Sequence, residues 1–278
     1  MKMEPTRDIS ALNAIATRLR TEVIKMLAEA GSGHPGGSLS AADIMAALFF
    51  YKLRHDSGNP DWEGRDRFIL SKGHAAPILY AALALSGYFP LPYLDTLRKK
   101  GSSLQGHPDR LSLPGIEMST GSLGQGLSIS TGLALGLRLS HSSSRVYVLM
   151  GDGEQQEGMV WEAAMSAAHY RLDHLTAIID RNQLQIDGPT ESVMSLGNLK
   201  AKWEAFGWHT IEIDGHDMSQ LVDALDEAEQ VKAKPTMIIA NTIKGKGVSF
   251  MEGKVKYHGV APTKEEREVA LGELGIRN

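Results

Sequence analysis

Two short segments carry oxygen donors in a pattern suited to a hard divalent cation. Gly151-Asp152-Gly153-Glu154 closes an apolar run, Val146 to Met150, and Asp180-Arg181-Asn182-Gln183-Leu184 closes a second, Leu175 to Ile179. Asp152 offers a carboxylate, Asn182 a side-chain carbonyl and Leu184 a backbone carbonyl. Oxygen-only ligation of this kind fits Mg²⁺, which keeps part of its octahedron for phosphate oxygens and water. Gly153 lets a phosphate come close to the backbone, where N–H groups would donate to it. The chemistry read from these residues is a metal-bridged diphosphate site. Two other phosphate motifs fail: GxGxxG would need glycine at Gln156, and Lys244-Gly245-Lys246-Gly247 is not the Gly-Lys-Ser/Thr of a Walker loop.

Those segments need strands to carry them. From residue 145 onward short apolar runs alternate with helical periods. Strands are expected at Val146 to Met150, Leu175 to Ile179, around Ile211 and Ile213, and at Met237 to Ala240; helices at Met159 to Tyr170 and through Leu221 and Leu225. This alternation predicts a parallel sheet with helices on both faces, and open sheets of that kind bind ligands beyond their carboxyl strand ends. Upstream, Ile9, Leu12, Ile15, Leu19, Val23, Ile24 and Leu27 are spaced for a helix, followed by a glycine-rich loop, Ala28 to Ser38. Ala41 to Lys52 and His74 to Ser86 read as helices separated by a polar loop, His55 to Arg67, and Gly121 to Gly126 opens another helix. The charged tail after Thr263 reads as a surface helix. No linker interrupts residues 1–278, so one domain is expected.

Composition narrows the class. The 278 residues contain 42% hydrophobic and 22% charged residues, as in an ordinary globular protein. A net charge of −4 argues against nucleic acid as the main partner. Cysteine is absent, which excludes disulfides and thiol chemistry. Met1 to Ser10 lacks the apolar core of a secretory signal, and Leu123 to Leu137 is too short and too rich in Gly and Ser to span a bilayer. A cytoplasmic location with no membrane attachment is the expectation.

GDG followed thirty residues later by an asparagine closing a second strand resembles the thiamine-diphosphate motif. GDGEQQEGMVWEA and DRNQLQIDG resemble its transketolase version. SGHPGGSLS (Ser32 to Ser40), LSKGHAAPILYA (Leu70 to Ala81), QGHPD (Gln105 to Asp109), STGSLGQG (Ser119 to Gly126), IKGKG (Ile243 to Gly247) and YHG (Tyr257 to Gly259) stand in transketolase order. The chain is thus similar to the diphosphate-binding domain of transketolases, an α/β thiamine-diphosphate fold.

The resemblance implies that Asp152, Asn182 and the Leu184 carbonyl hold Mg²⁺. It places Gly153 at the cofactor diphosphate, with His74 and Lys244 neutralising it, and Gly121 and Leu123 at the thiazolium and aminopyrimidine end. It assigns His34, His107 and His258 to the reacting carbon and the donor hydroxyls, work suited to imidazole near neutral pH. Glu157 matches an acidic position that links cofactor sites across a subunit interface. Ser122 departs from the proline common after the first glycine of that loop, a change expected to alter loop stiffness.

Structural readings stand beside these. Asp152 alone would suit a helix N-cap and Asn182 a left-handed turn. Asp180 reads equally as support for the metal site or as a turn residue. Glu157 reads equally as a first-turn carboxylate favoured by the helix dipole. Lys244 and Lys246 could be solvated charges, and Trp161 and Met165 are expected in the core. Of ten histidines, His55, His141, His169, His174, His209 and His216 are expected to be structural.

In the family a further domain supplies a glutamate that activates the aminopyrimidine ring, and only twenty residues follow His258. A second subunit carrying that pyrimidine-binding domain is therefore expected, in an α₂β₂ assembly. The expected reaction is transfer of a two-carbon ketol unit from a ketose phosphate to an aldose phosphate. Specialised sugars, apulose 4-phosphate or sulfo-sugars, are an alternative. The α subunit of a 2-oxoacid dehydrogenase and a non-catalytic relative are others; the single asparagine of Arg181-Asn182 and the SGHPGG loop count against the dehydrogenase.

Overall fold

The computed structural model describes residues 5–276. Met1 to Glu4, part of the opening segment expected to hold no secretory signal, lie outside the described residues.

The first helix, α1 (Ile9–Ala30), starts where Asp8 accepts hydrogen bonds from the Ser10 and Ala11 amides and stops at Gly31, whose φ of 64° is left-handed. Leu12, Ile15, Leu19, Val23 and Leu27 are buried along it, each contributing about 1.5–3 kcal/mol of burial. After it come α2 (Pro35–Ser40) and α3 (Ala42–Ala47), the latter running into a π turn at Leu48–Lys52. Strand β1 (Arg67–Leu70) leads through a 3₁₀ turn to α4 (Ala76–Leu85). Then follow α5 (Gln125–Leu139), β2 (Val146–Gly151), α6 (Gly158–His169) and β3 (Leu175–Arg181). A small hairpin, β4 (Leu184–Gln185) and β5 (Gly188–Pro189), precedes α7 (Thr190–Val193) and α8 (Leu199–Ala205). β6 (His209–Asp214), α9 (Met218–Gln230), β7 (Thr236–Asn241) and α10 (Lys264–Glu273) complete the order.

The five long strands form one parallel sheet in the order β1-β2-β3-β7-β6. Alternate side chains leave opposite faces of each strand. Tyr147, Leu149, Ile178 and Ile238 face a core built with α1, α3, α4 and α9. Val146, Val148, Ala177 and Ile239 face a second core built with α5, α6 and α8. The expected α/β architecture, with helices on both faces, is what the chain adopts.

Several local readings change. The segment read as loop contains α2: Pro35 at its first turn has the φ a helix needs, and all six of its residues are buried, so packing outweighs the poor helix propensity of Gly36 and Gly37. Arg67, read as the end of a loop, begins β1, which is too short to show a period. The hairpin and α8 carry no pattern that marked them in the sequence. Trp161 packs against Trp203 and Phe206 as a core residue would, but Met165, one turn on, is exposed. The tail forms α10, opened by a capping box between Thr263 and Glu266, and it buries Ala270 and Leu271.

Candidate active site

Register brings the donors together. Gly151 of β2 pairs with Asp180 of β3, so Asp152 and Asn182 emerge side by side. Arg181 pairs with Asn241 of β7, which places Lys244 just beyond, and Leu70 of β1 pairs with Leu149, which places Lys72 and His74 on the other flank. These four strand ends surround a cavity of about 330 Å³. Asp152, Gly153, Asn182, Leu184, Lys244, His74, His258, Leu123 and Glu157 all line it.

Asp152 is buried. Its carboxylate accepts from the Gly153 amide at 2.8 Å and from the Gln183 amide at 2.6 Å. Burial, followed by the nearby Asp180 charge, pushes its pKa up to about 6. Gln183 has a φ of 65°, left-handed and rare for a residue with a side chain, and it turns the chain back so that Leu184 lines the cavity. The Leu184 carbonyl accepts from Lys244 Nζ at 2.6 Å, and the same ammonium lies 2.9 Å from His258 Nδ1. Lys244 is buried, and desolvation lowers its pKa to about 8.

This donor set fits a divalent cation and a diphosphate. One carboxylate, one amide oxygen and one backbone carbonyl border a single cavity, with Lys244 as an anion partner beside them. A carboxylate whose charged form is disfavoured by burial is a group that gains from a cation. Among the described residues no three His, Asp or Glu side chains form a metal cluster, in keeping with a set that contains one acid.

Beneath the cavity lies a buried network of charged and hydroxyl groups. Asp180 is fully buried and accepts from Lys72, from Thr242 Oγ1, from Ser40 Oγ at 2.6 Å and from Asn182 Nδ2 at 3.2 Å. Burial alone would raise its pKa, but Lys72 and the hydroxyl donors bring it below the usual value. Lys72 also donates to the Gly37 carbonyl at 2.7 Å. Of the two readings of Asp180, support for the site matches its contacts: it ties α2 and the ends of β1, β3 and β7 together. Glu154 does the same on the other side, accepting from the Gly124 amide at 2.8 Å, the Gly151 amide at 3.0 Å and Ser71 Oγ.

Three imidazoles gather over the cavity. The His34 ring centroid is 5.3 Å from His74 and 5.7 Å from His258, and His74 is 5.3 Å from His258. Desolvation, then neighbouring cations, lowers His34 and His258 to about 4 and His74 well below its usual value. All three are neutral at pH 7. Because the Lys244 ammonium donates to His258 Nδ1, the ring proton of His258 belongs on Nε2. His107 packs on Gly121, where an added Cβ would come within 3.1 Å of the ring. Gly124 has a φ of 86°, and a side chain there would press on Glu157 Cβ at 2.7 Å. Glu157 stands exposed at the head of α6, and its side chain makes no cap hydrogen bond.

Three of the other histidines tie segments of the fold together. His174 bonds the Ala134 carbonyl and His209 bonds Glu227. His216 bridges Asp43 at 2.7 Å and the Ile243 amide at 2.8 Å, anchoring the loop that carries Lys244. Sequence reasoning missed Lys72 and Glu154, both inside motifs it had marked; charged residues between apolar strand ends and glycines were the available signal.

Residues 11–277 match the family described as the thiamine diphosphate binding domain of transketolase. The chain belongs to the transketolase family. This transketolase-family chain is 48% identical over 259 residues to a subunit of the 6-deoxy-6-sulfo-D-fructose transketolase of a Clostridium strain, covering 93% of the chain and 94% of that protein. It is 42% identical over 269 residues to a subunit of the apulose-4-phosphate transketolase of Phocaeicola vulgatus, covering 97% and 95%. Its fold matches the crystal structure of Campylobacter jejuni transketolase with a TM-score of 0.91 at 36% identity, over 96% of this chain and 43% of that one. The chain thus spans less than half the length of that solved transketolase. These matches overturn the 2-oxoacid dehydrogenase reading. Among the described residues no helix is long and apolar enough to cross a membrane.

Proposed function

We propose that this chain is the cofactor-binding subunit of a two-component transketolase that moves a two-carbon ketol unit from a ketose phosphate to an aldose acceptor. The observation that carries the reading is the cavity where Asp152, Asn182 and Leu184 bring three kinds of oxygen beside Lys244, beneath the cluster of neutral imidazoles. Residues 1–278 would act as one diphosphate-binding unit, at a cytoplasmic location.

Asp152, Asn182 and the Leu184 carbonyl would hold Mg²⁺, and Gly153, His74 and Lys244 would meet the diphosphate. Gly121 and Leu123 would flank the ring end. Thiamine diphosphate, when bound, supplies the electron sink for carbon–carbon cleavage. The chain's own part is to orient and to move protons. His258, with its proton on Nε2, can donate to a substrate oxygen, and neutral His34 and His107 can accept from a hydroxyl. Glu157, exposed and uncapped, would face a partner subunit that carries the pyrimidine-binding domain, in an α₂β₂ assembly.

Two relatives that match over nearly their whole length are named for a sulfonated sugar and for apulose 4-phosphate. They favour a specialised donor over ordinary pentose phosphates. The test is to combine the chain with its pyrimidine-binding partner, then assay xylulose 5-phosphate, apulose 4-phosphate and 6-deoxy-6-sulfofructose as donors with an aldose phosphate acceptor. Turnover of one of them, lost in EDTA and slowed in His258→Ala with cofactor binding retained, is expected. Absence of EDTA-sensitive thiamine diphosphate uptake by the pair would end the proposal.

A further inference from the structure

The chain between residues 97 and 124 forms no helix or strand, yet it carries His107. A loop of that length inside a packed fold holds one shape only where neighbouring elements grip it. His107 is itself exposed, so its ring has little packing of its own and is aimed by its backbone. What grips that backbone comes from α4, every residue of which is buried.

Tyr80 of α4 has 0% of its surface exposed. Its hydroxyl donates to the Gln105 carbonyl at 2.9 Å and lies 3.1 Å from the His107 carbonyl. A phenol has one proton, so the two oxygens share it. Burial, then the Asp109 charge, raises the phenol above its ordinary range, and it stays a donor. Tyr51, Tyr88 and Tyr257 turn their hydroxyls to side chains, those of Asp226, His55 and Glu266. Tyr80 holds main chain instead.

Each carbonyl belongs to a planar peptide unit. The two units gripped are Gln105–Gly106 and His107–Pro108, one on either side of the soft dihedrals of Gly106 and His107. Pro108 adds its own limit, since the residue before a proline is steered to extended backbone. Further on, the Thr120 amide donates to the Pro108 carbonyl at 3.3 Å, and Thr120 Oγ1 donates to the Leu70 carbonyl of β1 at 2.7 Å. The loop is thus tied to α4 and to β1, and the His107 ring comes to rest on Gly121. A phenylalanine at position 80 would fill nearly the same volume. It would lack only the bridge.

We propose that Tyr80 is a positioning residue for His107: its hydroxyl, bridging the Gln105 and His107 carbonyls, fixes the direction from which this imidazole meets the donor hydroxyls. This deepens the transketolase reading, from which His107 takes its role.

The first test needs no turnover. Ring signals of the chain with isotope-labelled histidine are recorded by NMR, and the His107 signal is identified by its loss in His107→Asn. In Tyr80→Phe that signal should shift and its ring order parameter should fall, with His34, His74 and His258 unchanged. A His107 signal that stays as in wild type, or an equal disturbance of all four rings, overturns the proposal.

The second test uses the two-subunit enzyme. Tyr80→Phe should lower kcat/KM for the ketose donor about 3- to 10-fold, the worth of one neutral hydrogen bond, while the thiamine diphosphate Kd stays as in wild type. In a His107→Asn background the same change should cost less than about twofold, because a residue that acts through His107 has nothing left to position. A full loss in both backgrounds, or a weakened cofactor Kd in Tyr80→Phe, shows a purely structural tie and overturns the proposal. Failure of the enzyme to turn over any donor counts against the transketolase reading and leaves the ring signals to decide Tyr80.

Discussion

Lys244 Nζ sits 2.6 Å from the backbone carbonyl oxygen of Leu184, one of the three oxygens assigned to the metal. A divalent cation held as proposed would therefore share this ligand with the ammonium. A bound diphosphate would offer Lys244 a better partner and free the carbonyl. Lys244→Met should weaken thiamine diphosphate binding by about tenfold or more, the worth of a charge-assisted contact, while Mn²⁺ binding without the cofactor strengthens. Calorimetry on the wild type and the variant measures both, and a Mn²⁺ affinity that falls with the cofactor's refutes the shared-ligand account.

Metal and proton should compete at Asp152. Burial raises its pKa to about 6, and a ligating carboxylate must be ionised. Mg²⁺-dependent cofactor affinity should be flat above pH 7 and weaken below about 6, approaching roughly tenfold per pH unit. Asp152→Asn should bind weakly and lose the slope that Asp152 contributes. Calorimetric titrations from pH 5 to 8 read it, and a wild-type slope preserved in Asp152→Asn would move the titrating group elsewhere.

Asp180 and Lys72 form a buried pair in which neither charge can be left alone. Asp180→Ala strands the Lys72 ammonium and should cost about 3–5 kcal/mol, whereas the double variant Asp180→Leu with Lys72→Met should recover most of that. Urea denaturation midpoints supply the comparison. Additive losses in the double variant would mean that the two groups are not coupled.

Half-buried neutral histidines make stability depend on pH. His34 and His258 are held at about 4 against an ordinary 6.5. Between those values the unfolded chain takes up protons that the folded chain refuses. Their contribution is therefore fully present above pH 6.5 and is lost as pH falls towards 4. Asp152 works in the opposite sense, since its raised pKa favours the folded state as pH drops below about 6. Comparing His34→Asn and His258→Asn with wild type isolates the histidines: each variant should show a smaller fall in Tm between pH 7 and 4.5. An identical fall in all three proteins would contradict the neutral state of the two rings.

Much was readable in the chain before folding. Asp152 and Asn182 sit at fixed steps from two apolar runs, and because parallel strands end on one edge, their convergence followed from local pattern alone. The same pattern located α1, α6, α9 and most of the sheet. Glycine-rich α2 and four-residue β1 were illegible, since in each case packing overrides what the segment would do alone. The charged pairs beneath the site were equally hidden: no spacing rule joins Lys72 to Asp180, 108 positions apart.

The residues by themselves determined which oxygens, imidazoles and glycines are available, because side-chain chemistry and strand periodicity are local properties. Only the tertiary structure decided who faces whom. It set Lys244 against Leu184, seated Asp180 among donors from four segments, and brought the Tyr80 hydroxyl to the carbonyls of Gln105 and His107. Those relations depend on register and burial, which arise when distant segments exclude water together.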